Sequence, residues 1–336
     1  MNRTDGQQFA TRKVSVVMCT YNGSGRHLRE QMESILHQTY PLYEIVVQDD
    51  GSTDSTMALL AEFSARDSRV KVFSNESGRH GINANFYSAM RRATGDFIAI
   101  SDQDDLWEPY KIEEQMKAIG DRMLCGGRSE PFSDDGSFVH VDPRRPNVTL
   151  LRMLCCAEIA GHTMLIRREM LERLPSDCAV VMNRCYDIVL SVMAAASDSL
   201  VYVDRVLVHQ RRYASSATYT SDADSVPTAS NAFHMLLWSV RHYRRVKHLA
   251  APGYNEWEEF LLKLNAPTSV YREGVRFMRL MQSAGVGGWF RLTLFCLRHR
   301  NEISHTRKSF AVSVVRALLF PFTSCWYQRF LILSKK

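Results

Sequence analysis

Phe97-Ile98-Ala99-Ile100-Ser101-Asp102-Gln103-Asp104-Asp105-Leu106-Trp107 carries an apolar run straight into three carboxylates within four positions. The run reads as a buried strand with an abrupt polar end. Carboxylates this close repel one another by about 1–4 kcal/mol per pair at about 4 Å. A divalent cation offsets that repulsion, and Mg²⁺ or Mn²⁺ take oxygen ligands. The same residues also suit an acidic helix N-terminus, because an amphipathic segment follows and its macrodipole favours negative charge there. This stretch alone leaves both readings open.

Three earlier strands lead up to it. Residues 14–19 (Val-Ser-Val-Val-Met-Cys) end in Thr20-Tyr21-Asn22-Gly23, and a helix with Leu28, Met32, Ile35 and Leu36 follows. Residues 43–48 (Tyr-Glu-Ile-Val-Val-Gln) run into Asp49-Asp50-Gly51-Ser52-Thr53-Asp54. Ser52 or Thr53 is expected to cap the next helix, whose apolar positions are Met57, Leu60 and Phe63. Residues 70–73 are a third strand, and a glycine-containing loop at 77–81 opens a helix near 82–93. Strand–helix alternation at this pitch predicts right-handed βαβ units and a mostly parallel, Rossmann-like sheet flanked by helices. Ligands bind off the carboxyl ends of such strands. Thr20 to Asn22, Asp49-Asp50 and Asp102 to Asp105 should therefore meet at one rim.

Beyond residue 124 the pattern is weaker. Residues 131–146 are rich in Pro, Gly, Ser and Asp and read as an exposed loop. Ala160-Gly161-His162 leads into an expected strand at 163–166, a helix begins near Tyr186-Asp187, and 200–208 read as another strand. A linker is expected around 216–230. The division that follows is an N-terminal tail (1–13), an α/β domain (14–220) and a basic, amphipathic helical region (221–336).

Charge separates the two larger parts. Residues 1–230 carry 25 Lys and Arg against 31 Asp and Glu, whereas residues 231–336 carry 17 against 5. An acidic body with a basic, aromatic-rich last third predicts an anionic partner for that third. The expected partner is an anionic membrane surface, not nucleic acid. Arg316, Pro321 and Arg329 interrupt the final apolar run, leaving twelve residues (317–328) between the arginines, short of the ~20 that cross a bilayer. Helices lying in the membrane interface are expected, with packing helices of a basic domain as the alternative. The polar residues 1–13 show no secretory leader, and the eight cysteines show no CxxC or His-paired metal spacing. A cytoplasmic protein, peripheral on the inner face of the plasma membrane, is expected.

Taken in order, Val-Val-Met-Cys-Thr-Tyr-Asn (16–22), Glu-Ile-Val-Val-Gln-Asp-Asp-Gly-Ser-Thr-Asp (44–54), Asn85-Phe86, and Ala93-Thr94-Gly95-Asp96 before Ser-Asp-Gln-Asp-Asp-Leu-Trp (101–107) resemble glycosyltransferase family 2, with its GT-A fold. The last motif resembles bacterial transferases that build O-antigen, capsule and similar polysaccharides, often rhamnosyltransferase-like. The resemblance implies an inverting, metal-dependent transfer from a UDP- or dTDP-sugar to a glycan or polyprenyl-diphosphate-linked acceptor. It implies that Thr20, Tyr21 and Asn22 floor the nucleotide site and that Asp50 accepts a hydrogen bond from the base or ribose. Asp102-Gln103-Asp104 matches the DXD motif. Asp102 and Asp104 would contact the donor, and Asp104 and Asp105 would hold Mg²⁺ or Mn²⁺. Asp187 occupies the place of the base that takes the acceptor's proton. Gly161 and His162 match the acceptor and donor-sugar loop, with a surface histidine as the alternative. Arg211 and Arg212 are phosphate candidates, and Tyr213 stands where the family often has histidine. Turn or cap roles for Asp50 and Asp187, and solvated arginines at 211–212, stay open.

Two other functions are weighed. A nucleotidyltransferase would need a Gly-rich, Lys- or Arg-bearing loop after the first strand, yet Thr20 to Gly25 offers Gly23 and Gly25 and no lysine. A catalytically inactive nucleotide-binding scaffold would have lost its metal or base carboxylates, and all are present.

Overall fold

Val14, Val16, Val17 and Met18 are fully buried, the signature of a strand covered on both faces. This computed structural model describes residues 12–333 apart from 25, 77, 137–140, 142–143, 157, 213–228 and 305–308. The proposed tail (save residues 12–13), the linker (save residues 229–230, which are helical) and Tyr213 lie outside the described residues, as does the 220/221 boundary.

Eight strands form one sheet: β1 (Val14–Thr20), β2 (Glu44–Asp49), β3 (Val70–Ser74), β4 (Phe97–Ser101), β5 (Leu106–Trp107), β6 (Leu124–Phe132), β7 (Leu165–Arg167) and β8 (Leu200–Arg211). Their order is β3-β2-β1-β4-β7-β6-β8-β5. The first four pair in parallel, as do β6 and β8, while β7 runs antiparallel between β4 and β6 and β5 runs antiparallel to β8. Helices α1 (Arg26–Leu36), α2 (Thr56–Arg66), α3 (Ile82–Arg92) and α4 (Lys111–Ile119) connect the strands, and α5 (Tyr186–Ala196) precedes β8. The period of two along a strand sends alternate residues into opposite layers. Val16 and Met18 join Leu28, Met32, Leu60 and Phe63 below the sheet. Val17 joins Phe86, Met90 and Leu190 above it.

Several expectations need correction. Neither Ser52 nor Thr53 caps α2; the N-cap is Ser55, and Asp54 accepts from the Thr56 N–H at 3.0 Å. Met57 faces outward at 37% exposure, while Leu59 takes the core position. The strand expected at 163–166 begins two residues later, because Gly161–Thr163 form a turn of 3₁₀ helix. Strands β5 and β6 carry no local signal strong enough to have been read. In β6, Gly126 and Gly127 replace apolar side chains where Ile159 and Leu207 press in; an added Cβ would lie 2.7 and 2.2 Å from them.

The C-terminal third is helical: α6 (Ala229–Leu264), α7 (Ser269–Gln282), α8 (Val286–Arg298) and α9 (Phe310–Tyr327), with shorter turns between. Trp257, Phe260, Leu261 and Phe277 share one core with Leu150, Leu190 and Met193, so these helices are packed onto the α/β body. Helix α9 runs unbroken through Pro321, whose ring is buried beside Ser313, Ala317 and Cys325. By length and composition, the 23 residues Phe310–Ile332 are long and apolar enough to cross a membrane, with Arg316 and Arg329 inside that stretch. One face of that helix is nevertheless committed to packing.

Candidate active site

The parallel register brings Thr20 opposite Asp49 and Met18 opposite Ser101, so the three polar strand ends meet at one rim as expected. How that rim is used differs from residue to residue. Thr20 is buried and donates its hydroxyl to Asp49 Oδ1 at 2.9 Å, so it braces the rim and is not an accessible floor. Asp49 also accepts from the N–H groups of Gly51 and Ser52, at 3.0 and 2.7 Å. Tyr21 is 57% exposed, leaving its ring free to stack. Its main chain is clamped by Gln103, whose amide accepts from Tyr21 N at 3.0 Å and donates to Tyr21 O at 3.2 Å. Asn22 sits at φ +47°, and its Oδ1 accepts from Thr53 N at 2.9 Å, tying two loops together. Asp50 accepts from Asn75 Nδ2 at 2.6 Å and Gly81 N at 2.7 Å and lies 3.0 Å from His80 Nδ1. It therefore organises the loop between β3 and α3.

The densest chemistry lies where β4 ends. One ligand atom each from Asp102, Asp105 and His162 fall within 4.8 Å of one another. His162 is buried, not the surface residue left open above: its Nδ1 is 3.3 Å from Asp102 Oδ2 and its Nε2 is 2.9 Å from Ser129 Oγ. Asp105 is 1% exposed, and its Oδ1 accepts from Arg211 N at 3.0 Å. Its Oδ2 is buried, has no hydrogen-bond partner, and stands 3.5 Å from His162 Nδ1. Burial pushes the Asp105 carboxyl well above the usual carboxylate range; the charge of His162 opposes this, and those of Asp102 and Asp104 add to it. Burial would lower His162, but the carboxylates of Asp105 and Asp102 raise it overall. An orphaned buried oxygen, two carboxylates and an imidazole fit a divalent ion. Asp105 is thus in the group expected from sequence, whereas Asp102 and His162, not Asp104, complete it.

Asp104 instead lines a cavity of about 490 Å³ with Asn22, Gly23, His27, Gln103, Asp134, Asp135, Arg211 and Arg212. Arg211 is not available to a phosphate. Its side chain is 2% exposed, pairs with Glu30 at 2.6 Å and with Asp134, and donates to the Asp104 carbonyl at 2.9 Å. Arg212 remains at the cavity wall, its N–H held by Phe132 O at 2.8 Å.

Gly161 has a steric reason: an added Cβ would lie 2.1 Å from the Tyr186 hydroxyl oxygen. Tyr186 is buried, packs its ring against Phe86 at 4.4 Å between centroids and opens α5. Asp187 follows in that first turn, half-buried, with Oδ1 accepting from Ile188 N at 2.7 Å. Asn83 fixes this turn: its Oδ1 accepts from Tyr186 N at 3.0 Å and its Nδ2 donates to Arg184 O at 2.8 Å.

Several supporting residues escaped the sequence reading. Ser129 sits on the illegible β6. Gln103 reads in sequence only as the middle of a DXD motif, and nothing local marks Asn83. Lys111 is wholly buried; its Nζ donates to Gln115 Oε1 at 2.9 Å and lies 3.9 Å from the centroid of the Trp107 ring. Burial lowers its pKa to about 7. A lysine at helix-core spacing was the available signal.

A mixed, mostly parallel sheet with carboxylates at the end of its fourth strand defines a GT-A-type domain. Residues 15–174 match the model of glycosyl transferase family 2. The chain is 40% identical over 105 residues to the putative glycosyltransferase EpsE of Bacillus subtilis, covering 31% of this chain and 37% of EpsE. It is 39% identical over 106 residues to an Escherichia coli β-1,3-glucosyltransferase, WfgD, covering 32% of this chain and 40% of WfgD. WfgD is named for transfer from UDP-Glc to α-D-GlcNAc-diphosphoundecaprenol. The chain thus spans about two fifths of the length of these relatives. The structure of S. aureus TarS 1–349 with UDP-GlcNAc is similar over 96% of this chain and 92% of that one, with TM-score 0.53 and 15% identity, a likeness of fold.

Proposed function

We propose that this protein is an inverting, metal-dependent glycosyltransferase. It moves a sugar from a UDP- or dTDP-sugar to a glycan or lipid-linked acceptor in bacterial surface-polysaccharide synthesis. The observation that carries the reading is the Asp102–Asp105–His162 group at the rim shared by Tyr21 and Asp50. Tyr21 stacks on the base, and the loop that Asp50 organises receives base or ribose. Asp102, Asp105 and His162 would hold Mg²⁺ or Mn²⁺. When bound, that ion supplies positive charge to the donor diphosphate. Asp187 takes the proton of the attacking hydroxyl, the Asn83 clamp setting its helix against α3. The basic C-terminal helices hold the enzyme against the anionic inner face of the plasma membrane.

Calorimetry with UDP-, dTDP- and GDP-sugars in the presence of Mn²⁺ tests the donor site. Asp187→Asn should keep donor affinity and lose turnover by about 10²–10⁴-fold, the span of a lost general base. Equal loss of both would make Asp187 a structural carboxylate.

A further inference from the structure

Four consecutive backbone N–H groups after β1 are each held by a side chain from another segment. Tyr21 N donates to Gln103 Oε1 at 3.0 Å, Asn22 N to Ser52 Oγ at 2.8 Å, Gly23 N to Thr56 Oγ1 at 2.8 Å and Ser24 N to Asp54 Oδ2 at 3.1 Å. Residues 21–24 are neither helix nor strand, so their shape depends on these partners. Ser52, Asp54 and Thr56 lie between β2 and the first turn of α2. Gln103 comes from elsewhere, from the turn that carries Asp102 and Asp105.

The Gln103 amide takes both polar groups of the Tyr21 main chain, accepting from N and donating to O at 3.2 Å. Gly23 closes on the same amide: a Cβ there would lie 2.6 Å from Gln103 Oε1. The Tyr21 ring is exposed, and this backbone alone aims it toward a ligand. Gln103 stands one residue from Asp102 and two from Asp105, whose carboxylates both approach His162 Nδ1. Asp102 is partly exposed. A cation that draws it toward Asp105 and His162 therefore also fixes the main chain on which Gln103 is mounted.

We propose that Gln103 links the cation group to the nucleoside-binding loop. With the ion bound, the 102–105 turn is held, the Gln103 amide stays on Tyr21, and an arriving base meets a ring already in place. Less ordering remains for the base to impose, so the nucleoside binds more tightly. Such linkage is reciprocal: the nucleoside raises the ion's affinity by the same factor. Gln103 is thus a positioning residue acting through Tyr21. The proposal rests on the donor-site reading above, and its test separates the two.

Uridine and thymidine are the probes, because neither carries a phosphate that could touch the ion. Their affinities for the full chain, read by saturation-transfer NMR, should rise about three- to tenfold on adding saturating Mg²⁺. Gln103→Ala should cancel that rise. Ser52→Ala frees the Asn22 N–H but leaves the 102–105 turn alone, so it should weaken the nucleosides in both conditions and keep the rise. A merely structural Gln103 would behave as Ser52 does. Hydrogen exchange across residues 21–24 reads the link without any nucleoside: Mg²⁺ should slow it in the native chain and in Ser52→Ala, but not in Gln103→Ala. Exchange and affinity that ignore the ion, or an ion effect that survives in Gln103→Ala, would overturn the proposal. If neither nucleoside binds while Mg²⁺ still slows exchange, the donor reading falls and the link between ion and loop stands. If calorimetry finds no binding of Mg²⁺ or Mn²⁺, the cation group and the link fall together.

Discussion

Replacing Asp105 by Asn should invert the order of stability with and without metal. Without the ion, the native Asp105 carboxylate is a charge held at 1% exposure, its Oδ2 lacking a hydrogen bond and facing only His162 Nδ1 at 3.5 Å. A buried unsatisfied group costs about 1–3 kcal/mol, more when charged. The neutral amide has nearly the same shape, so the metal-free variant should be more stable by about that amount. For a chain of this size the gain is roughly 1–4 °C in Tm. With Mn²⁺ at about 100 times its Kd the native protein gains about 2.7 kcal/mol, and the variant, lacking a ligand, gains far less. Differential scanning calorimetry at pH 8 with EDTA and then with Mn²⁺ reads both terms. A variant that melts lower in EDTA, or that keeps the full Mn²⁺ shift, would refute the assignment of Asp105 as an unpaired ligand awaiting a cation.

Glu44 tests the opposite edge of the sheet. Burial alone would raise its pKa, but Lys71, the Thr94 N–H and the Ser15 and Thr94 hydroxyls hold it down at about 2. Because the folded-state value is depressed, the stabilisation is present at neutral pH and is lost as pH falls from about 4.5 through about 2. Glu44→Gln should cost about 2–3 kcal/mol at pH 7, less whatever solvent screening of the half-exposed Lys71 removes, and should flatten the acid limb of urea-melt stability while donor affinity stays unchanged. Arg211→Ala should destabilise by about 1.5–3 kcal/mol by removing its charge-assisted bonds to the partly exposed Glu30 and Asp134, and Arg211→Lys should not restore it, since an ammonium lacks the planar fork. Urea unfolding reads this; a mild loss with selectively weakened UDP binding would return Arg211 to the phosphate site. Phe290 and Leu294 on α8 and Val315 on α9 are exposed beside Arg291 and Arg316. Co-sedimentation with phosphatidylglycerol vesicles should exceed that with neutral vesicles, fall with salt, and drop on Phe290→Ser with Leu294→Ser. Equal sedimentation with both vesicle types would count against membrane docking.

The first hundred residues were readable because β1, β2 and β4 are largely apolar runs, covered on both faces and ended by turn residues. Such runs carry their own boundaries, and parallel connections allow one handedness. The convergence of Tyr21, Asp50 and the acidic cluster on one rim followed from that topology without any side-chain contact. Sequence also marked Asp105 and Gly161, though not the Tyr186 hydroxyl that forbids a side chain at 161.

Partnership was decided in three dimensions. His162 meets Asp102 across 60 positions, and Arg211 reaches Glu30 across 181. Both encounters depend on the register of β6, β7 and β8, where glycines, a bulge and an antiparallel insertion leave no local pattern. A guanidinium reads the same in sequence whether it faces phosphate or two neighbouring carboxylates, and a histidine reads the same exposed or buried. Burial and the neighbours it imposes set the chemistry of each, and those are properties of the folded chain alone.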